Sequence, residues 1–369
     1  MSTPTQLTES TKTYKEAIIV FALATTAALF IKLPDLLGFD TNQNEVFYIQ
    51  NFSFFVLPLL VIYFTWKRSP GIRTLSWLTF AFVAAILFAN TYPFETSGDT
   101  IILTSLHMPI ALWLLVGIAY TGGKWNQISA RMDFIRFSGE LFIYYVLIAL
   151  GGGVLMALMA FIFQTIAIDI EPLFESWILP CGSVGALIIA AWLVEIKKGA
   201  AENFAPMLAR LFTPLFAVVL LSFLGTLIWT GRTMEIERDV LIALDLLLVV
   251  VLGLLLYSIS ARRVDSTPGI IDFVRIVLLV SALIVDLIAL WSIGGRISEL
   301  GLTPNRIVAL GLNLILLINL SGSALLYIRY ILKQGSYNRL EKWQSDYLPV
   351  YAIWAALVVI FIPPLFSYA

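Results

Sequence analysis

The sequence is poor in the residues that most often hold metals or cross-link a chain. It has one histidine, His107, and one cysteine, Cys181, in 369 residues. One cysteine cannot close an intrachain disulfide, and one histidine excludes multi-histidine metal sites and two-histidine haem ligation. Charge is scarce as well: 13 % of the residues are charged, against about 25 % in ordinary soluble domains. The net charge of −1 offers no global basic field for nucleic acid, and no polar gap is long enough for a nucleic-acid module. There is no HExxH, no GxSxG and no phosphate-cradling glycine loop, so no cofactor is expected.

What is abundant is apolar sequence, 60 % of the chain. A water-soluble fold of this length could not cover it, whereas lipid is itself an apolar solvent. A membrane helix needs about 20 residues to cross roughly 30 Å of hydrocarbon. Eleven stretches meet that length, at about 16–37, 46–66, 73–93, 99–121, 139–167, 174–196, 206–231, 239–260, 272–296, 303–330 and 348–367. The expected fold is all-α, a polytopic integral membrane helical bundle of about eleven transmembrane helices. Residues 1–15 read as a cytoplasmic polar tail, and 16–367 as a single transmembrane domain with short loops. The fourth stretch is weakened by His107 and Pro109, and the last ends in Pro363-Pro364.

Lysine and arginine fall mostly in every second gap. They are Lys12 and Lys15 in the tail, then Lys67, Arg68 and Arg73, then Lys124, Arg131 and Arg136. Further along come Lys197 and Lys198 with Arg210, Arg262 and Arg263 with Arg275, and finally Arg329, Lys333, Arg339 and Lys342. The first, third and fifth gaps are acidic instead, with Asp40, Glu45, Glu95, Asp99, Asp169, Glu171 and Glu175. Arg232, Arg238, Arg296 and Arg306 dilute the pattern in the seventh and ninth gaps. Basic residues stay on the cytoplasmic side, which puts the N-terminus in and the C-terminus out. The longest gaps, about 122–138 and 331–347, mix aromatics with cations and read as interfacial aromatic belts with snorkelling side chains. Amphipathic segments lying on the inner leaflet are the alternative. Gly151-Gly152-Gly153 points to a kink or a close helix approach.

An ionisable group at the centre of a membrane helix costs about 2.5–3.5 kcal/mol, so each needs a partner or a cavity. Asp286 lies fourteen positions before residue 300 and Asn313 thirteen after it, which makes them nearly level and predicts a hydrogen bond between them. Asn319 and Ser323 extend the polar set deeper. Such a set is either a proton- or cation-coupled site or polar glue between helices. Asp245 and His107 sit at similar depth from the outside, a candidate proton-sensitive pair if their helices meet. Arg275, roughly 16 Å from Asp286 along the helix, reads as a snorkeller. Glu140 and Glu195 read as interface ion pairs with Arg136 and with Lys197 or Lys198.

The hairpin Arg296-Ile-Ser-Glu299-Leu-Gly-Leu-Thr-Pro-Asn-Arg306 resembles a signature of a bacterial polytopic family, the domain-of-unknown-function 4153 group. The resemblance covers about thirty residues and the helix plan of the last third. It implies a multi-pass protein of the bacterial cytoplasmic membrane and supplies no reaction. From the residues alone, Thr303 and Pro304 read as N-cap and first helical position, and Gly301 as a tight turn. Arg296 and Arg306 would pair with Glu299 or bind an anion such as a lipid phosphate. Membrane lipids are the expected partners, with a small-molecule or lipid ligand besides. Substrate-binding candidates are Asp286, Asn313, Asn319, Arg296, Arg306, Asp245 and His107. They favour a permease or a lipid- or small-molecule-handling protein with a polar site among helices eight to ten. The alternatives are a non-transporting sensor or assembly scaffold and, more weakly, a carboxylate-based intramembrane transferase.

Overall fold

The computed structural model describes residues 4–38, 44–95, 98–165, 168–196, 201–230, 238–262 and 268–369. Among these the protein is all-α, with eleven helices long and apolar enough to cross a membrane. They are α1 (Pro4–Leu36), α2 (Glu45–Arg68), α3 (Ile72–Thr91), α4 (Asp99–Tyr120), α5 (Ile128–Thr165) and α6 (Glu171–Ile196). The rest are α7 (Ala201–Thr230), α8 (Arg238–Ser260), α9 (Ile270–Leu300), α10 (Pro304–Ile331) and α11 (Tyr337–Leu365). In hydrocarbon every backbone N–H and C=O must be paired, and the helix does this within one segment. The chain is a multi-pass membrane protein whose helices contact lipid. Asp40, Lys197, Lys198, Arg232 and Arg263 of the charge pattern lie outside the described residues, as does the side chain of Lys12.

Three helices, α1, α5 and α11, begin more than two turns earlier than hydropathy alone predicts. α1 starts at Pro4, so the polar stretch before residue 16 is helical. The segments 122–138 and 331–347 are largely the first turns of α5 and α11 and not belts or surface loops. Phe134 and Phe137 are buried, with Trp113 tilted against the first at 5.7 Å and stacked on the second at 6.4 Å. Tyr337, Leu340, Gln344 and Ser345 are buried too. Their aromatic and apolar residues are thus taken up in packing within the protein. Pro109 leaves α4 continuous. At the ninth–tenth turn the expectation holds in detail. Gly301 takes φ +77°, and Thr303 caps α10 by accepting from the Arg306 amide at 3.4 Å, with Pro304 in the first turn.

The chain divides into two compact units, Met1–Thr91 with Leu115–Lys124 and Glu140–Ala201, and Tyr92–Leu114 with Trp125–Gly139 and Glu202–Ala369. In the first, α1 packs on α2 and α6, α2 packs on α6, and α3 lies against α2. In the second, α9 packs between α8 and α10, while α10 and α11 form an antiparallel pair that also touches α8. That pair is keyed by glycine. A Cβ on Gly311 would meet the Trp354 ring at 2.0 Å, and one on Gly322 would meet the Trp343 ring at 2.3 Å. Only a residue without a side chain lets the indoles lie this close to the backbone.

Candidate functional site

Three helices of the second unit place one polar residue each at a common level. An apolar cluster joins Leu241 of α8, Ala289 and Ile293 of α9, and Ala309 and Leu310 of α10. One turn on from Leu241 is Asp245, one turn back from Ala289 is Asp286, and one turn on from Ala309 is Asn313. A further turn along, Leu248, Ala282 and Leu316 are each fully buried. The three polar side chains therefore form a layer between two apolar ones.

Within the layer, Asn313 Nδ2 donates to Asp245 Oδ1 at 2.8 Å and to the Ala309 carbonyl at 2.9 Å. Both amide protons are used, so the amide is oriented and Oδ1 faces away. Among the described residues that oxygen has no partner, and neither has either carboxyl oxygen of Asp286. Asp286 and Asn313 are both 0 % exposed, whereas Asp245 is half-buried and forms the edge of the layer. Asp245 lies near enough to Asp286 for their charges to interact. A buried acceptor without a donor costs about 1–3 kcal/mol, more if charged, and here three such atoms, from α9 and α10, collect at one level.

Four expectations change. The bond predicted between Asp286 and Asn313 goes instead to Asp245: levelling two residues along their axes does not say which way each side chain points. Asn319 does not join the layer. It lies six residues beyond Asn313, about 120° around the helix, and faces α11, where its Nδ2 donates to Gln344 Oε1 at 3.1 Å. Gln344 Nε2 in turn donates to Ser323, and Trp343 Nε1 to the Asn319 carbonyl at 3.1 Å. His107 does not pair with Asp245; its Nδ1 lies 2.8 Å from the Leu103 carbonyl of its own helix and so carries the proton. Arg306 is placed not on Glu299 but on the Leu300 and Gly301 carbonyls, to which it donates at 3.1 and 2.7 Å, satisfying the C-terminal end of α9. Arg296 is half-buried near that end.

Two buried ionic knots escaped the sequence reading. In the second unit Asp272 accepts from Arg262, from Arg275 at 2.9 Å, from the Tyr327 hydroxyl at 2.7 Å and from the Gly269 amide at 2.8 Å. Arg275 is thus no snorkeller; it is 6 % exposed, with the Tyr327 hydroxyl at 3.0 Å. Arg262 lies over the Tyr330 and Tyr337 rings, 5.0 and 4.9 Å from their centroids. Burial pushes its pKa down, but the hydrogen bond and charge of Asp272 outweigh burial and the net shift is upward. In the first unit Glu16 of α1 pairs with Lys67 and accepts from the Tyr63 hydroxyl at 2.6 Å. Glu195 of α6 takes Arg68 through both oxygens at 2.9 Å and Lys67 at 3.2 Å. Its predicted partners Lys197 and Lys198 lie outside the described residues. Arg136 donates to the Ser260 carbonyl at 2.6 Å. The signal for the knots was present in the i, i+3 pair Asp272 and Arg275 and in Lys67-Arg68 beside Tyr63. Among the described residues no group of three or more His, Cys, Asp or Glu could hold a metal ion.

Comparison with protein-family models, with curated proteins and with solved structures found no match to this chain.

Proposed function

We propose that the protein is a permease, or a membrane protein that binds and hands on a small molecule or lipid, with the polar layer of α8, α9 and α10 as its working site. One observation carries this reading: the carboxyl of Asp286 is wholly buried with both oxygens unbonded. Polar groups used as glue between membrane helices find partners, as Asn319 and Gln344 do here. A carboxyl left unbonded inside a bundle is the usual mark of a pathway or binding site. Location in a bacterial cytoplasmic membrane, and kinship with the family that the Arg296–Arg306 hairpin resembles, belong to the same proposal.

The test is mass spectrometry of what copurifies with the protein from native membrane, for wild type and for Asp286→Asn. A lipid or metabolite held by the wild type and lost in the variant is the expected result. A protein partner retained by both forms, with no ligand in either, would replace the permease with a scaffold or sensor.

A further inference from the structure

We infer that Asp245, Asp286 and Asn313 form a site for one monovalent cation, at which sodium and a proton compete. The inference rests on reading this layer as the working site and names the ion that it takes. Donors and acceptors decide the chemistry. The set has five side-chain oxygens, two from each aspartate and one from the amide. Its only donor is Asn313 Nδ2, already committed to Asp245 and Ala309. The three unpartnered atoms, Asp286 Oδ1 and Oδ2 and Asn313 Oδ1, are all acceptors. An occupant must therefore be electropositive; a donor-poor, oxygen-only set offers nothing to an anion.

The surroundings narrow the choice to a monovalent ion. Calcium takes six to eight oxygens, and magnesium retains several waters. Five side-chain oxygens between two apolar layers meet neither demand. A proton needs only one of these oxygens, and an alkali cation carries half the charge of either divalent ion. Among the described residues of α8, α9 and α10, no other charged residue lies at this level. On α8 the remaining charged residues are Arg238 and Asp239 at its start; on α10 they are Arg306 and Arg329 near its ends. On α9 itself Asp272 and Arg275 are engaged with each other at the far end, and Arg296 and Glu299 lie at the near one. The two aspartates accordingly set the ion balance of this level alone. Asp245, half-buried, is the edge from which an ion would enter.

The full chain in lipid discs is titrated with sodium chloride against a choline chloride background from neutral to acidic pH, and its infrared spectrum is recorded with and without sodium. The wild type should bind one sodium per chain, with affinity falling about tenfold per pH unit once a proton holds the site. A protonated-carboxyl band should disappear as sodium binds. Asp286→Asn should weaken sodium binding by at least about tenfold and remove the band. Asp286→Glu, which keeps the carboxyl, should retain a sodium-sensitive band and so guard against misfolding as the cause. A band that Asp286→Asn removes, with no sodium bound by the wild type, would overturn the competition and leave a proton site in its place. No sodium binding and no band dependent on Asp286 would overturn it. Binding is read here without any transported molecule, so the two readings fail separately. A bound cation with no retained solute sinks the permease alone, and a retained solute with no cation effect sinks this inference alone.

Discussion

Asp272 and Asp286 lie on the same helix, are buried to the same degree, and have opposite surroundings. Asp272 is met by two arginines, a tyrosine hydroxyl and a backbone amide. Asp286 meets no donor among the described residues. Both are expensive to place in a membrane. One has its cost offset locally, by a knot that ties α9 to α10 and to the segment after α8. The other is carried by the fold as a whole. The difference separates a carboxylate whose bonds join helices from one that makes none. The first unit contains a knot of the former kind, Glu16, Lys67, Arg68 and Glu195, built from three helices in the same way.

The largest expected effect tests that separation directly. Asp272→Asn leaves Arg275 buried beside a neutral side chain, and breaking a buried pair from one side costs about 3–5 kcal/mol. Thermal unfolding in detergent should show a large loss of stability, and a wild-type melting curve would mean that the knot is ornamental. Next comes the contrast between filled and open space at glycine. Gly322→Ala puts a Cβ 2.3 Å from a Trp343 ring that is tethered to the Asn319 carbonyl, and should cost about 1–3 kcal/mol in the same assay. Gly151→Ala, where no atom lies within 4 Å, should be neutral or gain up to about 1 kcal/mol from helix propensity. Equal responses at the two sites would erase the distinction between packed and lipid-facing glycine.

A double-mutant cycle of Asn319→Ala with Gln344→Ala measures the polar glue between α10 and α11. Its coupling should be near 0.6 kcal/mol, the scale for such bonds in membranes, and about 1.7 at most. The smallest effect belongs to Asp286→Asn. In sodium-free buffer it should move unfolding by less than about 1 kcal/mol in either direction, since no bond is lost. A loss as large as that of Asp272→Asn would make Asp286 structural and remove the contrast from which the site was argued.

The helix count was legible because a bilayer imposes one length and one composition on every span. The Thr303-Pro304 cap and the Gly301 turn were legible because their causes are local. Partner choice was not. Asn313 could be placed in depth by counting residues, but depth leaves its azimuth open, and Asp245 lies on a helix remote in sequence. Asn319 was misassigned for the same reason, by a third of a turn. Arg275 was misread because snorkelling is the usual fate of a cation near a helix end, and only tertiary packing shows Asp272 and Tyr327 closing over it. Glu16 went unweighed because its helix continues through residues whose polarity reads as a tail.

The two indoles seated on Gly311 and Gly322 have a mechanical consequence. The keys are eleven residues apart on both helices, about three turns, so they engage together or not at all. Sliding α10 past α11 by one turn would set Trp354 against Ile307 or Ile315, and Trp343 against Ile318 or Leu326, all of which carry branched side chains where the fit demands none. The pair resists shear as a toothed rail does.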